Sequence, residues 1–252
     1  MMKQAFDLTG KVAVVTGGSR GIGKGIAIGL AEAGANIVLV QRSNDTSTQE
    51  EIKALGVRCE IIHCDLINLE DVKQVIPNAI ETMGSVDILV NNAGIQRRSP
   101  AVDFSEQDWD DVLTVNLKAV WILCQQAGRH MVKRKSGKII NIASLVSFQG
   151  GILVPAYAAA KGAVGQLTKA LANEWASQGV NVNAIVPGYI ATEMNTALIE
   201  DPVRSRQILE RIPAGRWGNP DDFKGPAVFL ASDASNYIHG HLLVVDGGWL
   251  GR

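Results

Sequence analysis

The sequence predicts an α/β fold in which a parallel sheet is wound with helices on both faces. Short β-rich runs alternate with helical stretches along almost the whole chain, the pattern of repeated strand–helix–strand units. Many of the β-rich runs are nearly continuous apolar strings, as strands covered on both faces require. A glycine-rich turn joins the first strand to the first long helix, where such folds place a phosphate.

The elements follow in order. A strand over 11–16 runs into the glycine-rich turn and a helix over 21–33. A strand at 36–41, a helix at 47–55, a strand at 57–63 and a helix at 69–83 repeat the unit. A strand at 86–90 leads to a long helix over 105–135, with Trp109, Val112, Leu113, Val120, Leu123, Cys124, Ala127 and Met131 as its apolar stripe. A strand at 138–143, a helix at 155–178 and a strand at 181–186 follow, and a helix at 221–232 precedes the last strand at 241–246. The segment 187–220 carries Pro187, Pro202, Pro213 and Pro220 and reads as short helices and loops that cover a ligand. No linker or repeat interrupts 1–252, so one domain is expected.

Composition narrows the function. Apolar residues are 46% and charged residues 19% of the 252, enough for a large core and too apolar for disorder. Lys plus Arg is 24 and Asp plus Glu is 25, so a net charge of −1 gives no pull toward nucleic acid or anionic membranes. The N-terminus does not read as a signal peptide and no apolar run is long enough to span a bilayer. Cys59, Cys64 and Cys124 are an odd, sparse set that fits a reducing cytoplasm rather than a disulfide framework. Cys59 and Cys64 flank His63, and His239 and His241 alternate on the last strand. Neither set has a further ligand pair at metal spacing, so strand packing is favoured and no metal is expected.

In doubly wound sheets ligands lie beyond the carboxyl ends of the strands. The first such end is Thr16-Gly17-Gly18-Ser19-Arg20-Gly21-Ile22-Gly23, where glycines let backbone N–H groups approach a phosphate at a helix N-terminus. Gly18 to Lys24 also matches the start of a P-loop, but Gly25 stands where the magnesium-holding hydroxyl belongs, which disfavours nucleotide hydrolysis. The second strand ends in Gln41-Arg42-Ser43 rather than in an acid. Arg42, with Arg20 as a second cation, therefore favours the 2′-phosphate of NADP over NAD, which remains possible. Asp65 and Leu66, after the third strand, lie at the adenine edge.

The later strand ends carry reaction chemistry. Asn91-Asn92-Ala93-Gly94 follows the fourth strand and Ser144 the fifth, while Tyr157 and Lys161 share a helix face at i, i+4. A carbonyl reduced by hydride needs a proton on its oxygen. A tyrosine can supply it if a lysine cation lowers a phenol pKa of about 10. Ser144 can hold the substrate oxygen. Asn116 falls on the inward stripe of its helix, where a buried amide either satisfies backbone or organises a water relay; the relay is favoured.

These residues resemble the short-chain dehydrogenase/reductase family: the 16–23 turn, Asn91 to Gly94, Asn116, Ser144, Tyr157 to Lys161, and Pro187-Gly188 with Thr192. The resemblance implies a seven-stranded single-domain Rossmann fold and an Asn116–Ser144–Tyr157–Lys161 tetrad, with Lys161 also on the nicotinamide ribose. It further implies that Asn91 and Ala93 line the dinucleotide, that Ile190 and Thr192 meet its carboxamide end, and that the chain is a homotetramer. Ile95 to Arg98, Ser147 to Gly151, Asn173 to Ala176, Arg211 to Gly218 and Val245 to Leu250 resemble the branch that oxidises 2-dehydro-3-deoxy-D-gluconate at carbon 5 or 2-deoxy-D-gluconate at carbon 3, beside the gluconate 5-dehydrogenases. That implies a sugar-acid substrate. The branch commonly uses NAD, which disagrees with Arg42.

A polyhydroxy carboxylate needs a cation and polar donors. Arg97, Arg98 and Gln149 are the candidates, Arg97 or Arg98 clamping the carboxylate; Asn195 and Arg216 are weaker ones. A 3-oxoacyl thioester reductase sharing the tetrad, and a dinucleotide sensor without turnover, are the alternatives.

Overall fold

The computed structural model describes residues 2–252. Seven strands form one all-parallel sheet: β1 (Val12–Thr16), β2 (Asn36–Gln41), β3 (Cys59–His63), β4 (Ile88–Asn91), β5 (Gly137–Ile142), β6 (Val180–Pro187) and β7 (Leu242–Val245). Their order is β3-β2-β1-β4-β5-β6-β7. The chain reverses its winding between β1 and β4, which opens a crevice at their carboxyl ends.

The helices are α1 (Met2–Ala5), α2 (Gly21–Glu32), α3 (Ser47–Ala54), α4 (Leu69–Met83), α5 (Glu106–Leu113), α6 (Ala119–Arg134), α7 (Pro155–Trp175), α8 (Thr196–Glu200), α9 (Pro202–Arg211) and α10 (Lys224–Ala231). Side-chain alternation along the strands divides the core. Val12, Val14, Val38, Val40 and Leu89 pack against α4, α6 and α7. Ala13, Val15, Ile37, Leu39 and Val90 pack on the other face against α2, α3 and α10. A smaller cluster joins Ala143, Leu145, Ala184 and Val186 to Ile208, Ile212 and Trp249, which fastens α9 and the C-terminus over the ends of β5 and β6.

Two expectations are revised here. The helix expected over 105–135 is three pieces, because a π-helical turn, Thr114–Lys118, separates α5 from α6. His239 and His241 are exposed and precede β7 rather than lying on it. Cys59 belongs to the α3 face and Cys64 to the α4 face, so the two thiols point away from each other and cannot close on one ion. Burial pushes these thiols up, to about 12 and about 11. Among the described residues no helix is long and apolar enough to cross a membrane.

Candidate active site

The glycine-rich turn leaves β1 with Gly17 at φ +64° and enters α2 with Gly21 at φ +53°, a region L side chains rarely adopt. A Cβ on Gly23 would lie 2.2 Å from the Gly17 carbonyl oxygen and 2.4 Å from Asn92 Nδ2. Arg20 is the N-cap of α2 and gives its first turn no side-chain acceptor. The turn is thus a concave backbone cradle at an uncapped helix N-terminus, a fit for the pyrophosphate of a dinucleotide. Gly25 has a packing reason: a Cβ there would meet the Pro220 carbonyl oxygen at 2.3 Å. Thr48 Oγ1 donates to the Ser19 carbonyl at 3.0 Å, and Ile22 packs beneath on the α2 face.

The turn after β4 is tied to this cradle. Asn92 Nδ2 donates to the carbonyls of Thr16 and Gly17, at 2.9 and 3.2 Å, and Thr16 Oγ1 accepts from the N–H groups of Asn92 and Ala93, each at 3.0 Å. Thr16 and Asn92 were missed as site residues; only their tertiary pairing distinguishes them from ordinary loop polar residues. Asn91, expected to line the dinucleotide, turns its side chain inward instead. Its Nδ2 donates to Asn141 Oδ1 at 2.9 Å and Cys124 Sγ at 3.2 Å, because Asn91 follows Leu89 on the α6 side of the pleat.

At the rim of β2 and β3, Arg42 lies 3.6 Å from Asp65, both largely exposed, so the cation and the acid share one corner. Leu66 is buried against α4 and offers this corner only its backbone. Arg20 is paired with Glu193 of the covering segment. To act as a second phosphate cation it has to leave that carboxylate.

The covering segment meets the cradle directly: Thr192 Cγ2 lies 3.5 Å from where a Gly21 Cβ would be. Gly188 follows Pro187 at the exit of β6, where a Cβ would lie 2.6 Å from the Asp246 Cα. Buried Ile190 forms a parallel bridge with Gly218, and Asn195 Nδ2 donates to the Ile190 carbonyl at 2.9 Å. Arg216 grips both carboxylate oxygens of Asp222 at 2.8 Å. Asn195 and Arg216, weaker substrate candidates by sequence, are therefore spent on shaping the segment. Arg97 likewise pairs with Asp108 of α5 at 3.1 Å, while Arg98 reaches Gln96 at 3.1 Å and stays exposed. Gln149 accepts from Trp249 Nε1 at 3.4 Å beside Tyr189, whose ring lies 4.6 Å from that of Trp249.

The centre of the site joins β5 to α7. Lys161 is 3% exposed, and its Nζ donates to the Ile142 carbonyl at 2.5 Å and lies 5.7 Å from the Tyr157 ring centre. Ser144 begins a short 3₁₀ turn, Leu145–Ser147. Burial pushes the Tyr157 phenol up while the Ser144 hydroxyl draws it down, and burial takes the Lys161 ammonium down to about 8. Lys161, expected to lower Tyr157, does not do so here: burial outweighs the Ser144 hydrogen bond, and the ammonium is engaged by the Ile142 carbonyl. Asn116 is fully buried in the π turn, with Nδ2 donating to the Ile95 carbonyl at 2.7 Å and Oδ1 accepting from the Ile95 N–H at 2.9 Å. Its amide satisfies backbone, the first of the two alternatives, and a Cβ on Gly94 would lie 2.9 Å from its Oδ1 and 4.0 Å from Lys161 Nζ. Asn116, Gly94 and Lys161 are thus immediate neighbours.

Comparison with known proteins agrees with this geometry. The family described as Enoyl-(Acyl carrier protein) reductase matches residues 17–250. The 2-dehydro-3-deoxy-D-gluconate 5-dehydrogenase of Pseudoalteromonas atlantica is 56% identical over 254 residues, covering 100% of both chains. That of Bacillus subtilis is 54% identical, covering 100% of this chain and 99% of its own. A crystal structure of gluconate 5-dehydrogenase from Burkholderia cenocepacia J2315, in complex with NADP and tartrate, superposes with a TM-score of 0.95 at 41% identity over 100% of both chains. A seven-stranded parallel sheet, a glycine cradle and full-length relatives of this kind lead to one assignment: the chain belongs to the short-chain dehydrogenase/reductase family of oxidoreductases.

Proposed function

We propose that the protein interconverts a secondary alcohol and a ketone on a sugar acid of the 2-dehydro-3-deoxy-D-gluconate or 2-deoxy-D-gluconate type, with NADP as the preferred cofactor and NAD as a possible one. The observation that carries this is the convergence of Ser144, Tyr157 and Lys161 beyond the carboxyl end of β5, in a chain 56% identical over its full length to a sugar-acid dehydrogenase.

Gly17, Ser19, Gly21, Ile22 and Gly23 would hold the pyrophosphate through backbone, with Arg20 released from Glu193 or left beside it. Arg42 would take the 2′-phosphate, and Asp65 and the Leu66 backbone the adenine. Ala93, Gly94, Pro187, Gly188, Ile190 and Thr192 would enclose the nicotinamide half, with Lys161 on its ribose; Asn91 supports the turn from below. The dinucleotide supplies or accepts the hydride.

The chain supplies the proton and the geometry. Ser144 holds the substrate oxygen against Tyr157. The phenol, protonated at neutral pH, gives its proton to the oxygen of a ketone; in the oxidation direction the phenolate takes it from the alcohol. Lys161, when protonated, stabilises that phenolate, and Asn116 fixes the Ile95 turn beside it. No metal enters this scheme.

Arg98 is the better placed of the two arginines for a substrate carboxylate, because Arg97 is paired with Asp108, and Gln149 offers a polar neighbour. The 187–220 segment covers the bound substrate within a single 1–252 domain. The protein acts in the cytoplasm as a homotetramer, with no nucleic-acid or membrane partner.

One kinetic panel tests this reading: sugar acids and 3-oxoacyl thioesters, with NADP and NAD, on native and Arg42→Ala protein. Turnover of a gluconate derivative and none of the thioesters is expected. Arg42→Ala is expected to raise the KM for NADP by roughly 10–100-fold, the loss of a charge-assisted contact worth about 1.5–3 kcal/mol, and to leave NAD nearly unchanged. Thioester turnover alone would reject the sugar acid, and equal weakening of both cofactors would reject the 2′-phosphate assignment.

A further inference from the structure

We propose that Ser147 is a positioning residue for the reaction: its hydroxyl fixes Ser144 and Lys161 relative to each other. The inference rests on the acid–base reading above. Ladder pairing of β5 with β6 ends near Ile142, with a last bond from the Ala143 N–H to the Ile185 carbonyl at 2.9 Å. The next N–H, that of Ser144, leaves the sheet and needs another acceptor. Ser147 Oγ accepts it at 3.3 Å and gives its own hydrogen to the Lys161 carbonyl at 2.7 Å. Capping the turn requires only the first of these bonds. The second crosses to α7 and reaches a carbonyl in the middle of a 21-residue helix. That carbonyl already has the i+4 N–H available to it, so backbone satisfaction does not demand the crossing.

The consequence is a closed loop of bonds. Lys161 is held at both ends by one short stretch of chain: its ammonium by the Ile142 carbonyl and its own carbonyl by Ser147. Ser144 lies between those two anchors. Its Oγ accepts a long bond, 3.4 Å, from the Val146 N–H, and its hydroxyl faces the Tyr157 phenol, where the substrate oxygen would join them. Gly165, one turn beyond Lys161, keeps this contact close: its Cβ would lie 3.7 Å from Ser147 Cβ and 3.1 Å from Leu242. The proton donor, its lysine and the oxygen-holding serine therefore share one register, and Ser147 sets it. Small displacements of such groups cost rate rather than binding.

The test compares Ser147→Ala, Ser147→Thr and Tyr157→Phe with the native enzyme in steady-state turnover of the sugar acid in H2O and D2O, with thermal unfolding alongside. Ser147→Ala is expected to lower kcat by on the order of 10–100-fold, to leave both KM values nearly unchanged and to raise the solvent isotope effect as proton transfer becomes slower. Ser147→Thr, which keeps the hydroxyl, is expected to recover most of the rate. A Ser147→Ala protein with native kcat and isotope effect, whatever its melting temperature, overturns the inference, as does equal loss in both variants with an unchanged isotope effect. Tyr157→Phe separates the two levels. If it keeps turnover, the acid–base reading itself fails; if it is inactive while Ser147→Ala is native, only the positioning role fails.

Discussion

Tyr157→Phe is expected to remove on the order of 10²–10⁴-fold of the turnover rate, the usual worth of a positioned proton donor, and to leave dinucleotide affinity nearly unchanged. The substitution deletes one oxygen from a half-buried ring beside Lys161 and keeps the ring's packing. Binding and chemistry should therefore separate. A fluorescence titration reads the first and initial rates read the second. The phenol pushed up by burial explains the direction: at neutral pH Tyr157 holds a proton ready for a ketone, and the variant has none to give. A Tyr157→Phe enzyme with native kcat would assign the proton to water or to another side chain.

Gly23→Ala is expected to have the second large effect, on the cofactor. The added methyl carbon would lie 2.2 Å from the Gly17 carbonyl oxygen and 2.4 Å from Asn92 Nδ2. Neither is the loose end of a flexible side chain, since Asn92 is itself bound to Thr16 and Gly17. The cradle must open, and a lost charge-assisted hydrogen bond to the phosphate is worth about 1.5–3 kcal/mol, on the order of 100-fold in affinity. Dinucleotide Kd should rise by about that factor, with a melting temperature lower by a few degrees from overpacking of about 1–3 kcal/mol. Unchanged affinity would show that the phosphate rests elsewhere. Gly25→Ala makes an informative companion, because its clash is with Pro220 and bears on packing rather than on the cradle.

The sheet was legible because buried parallel strands are written as apolar runs, and the cradle because only glycine tolerates its backbone. Tyr157 and Lys161, a spacing of four on one helix, were legible only because other strand ends pointed to the same reaction. The contacts that were not legible share a cause: they depend on tertiary partners. Nothing local announces that Arg20 meets Glu193, that Arg97 meets Asp108 or that Arg216 clamps Asp222. The π turn at Asn116 leaves the apolar stripe of the surrounding helices intact, so periodicity passes over it. The fourth strand was read one residue short: β4 continues through Asn91 and pairs it with Asn141, which turns its side chain into the sheet. The direction of the Tyr157 shift was missed because a charge four residues away is visible in sequence and the loss of water around a ring is not.

That direction makes the pH dependence of both reactions the sharpest measurement. Burial favours neutral phenol and neutral amine, so Tyr157 is raised and Lys161 falls to about 8. Lys161 therefore loses its charge just on the alkaline side of neutrality, while Tyr157 keeps its proton beyond the ordinary phenol range. The phenol is thus protonated across the neutral range: ketone reduction should run at its plateau, while alcohol oxidation, which needs phenolate, should climb with pH. A flat reduction rate beside an oxidation rate that climbs with pH, in kcat measured from about pH 6 to 10, is the expected result. Rates that stay flat across this range in both directions, or that move together, would contradict a proton exchanged through Tyr157.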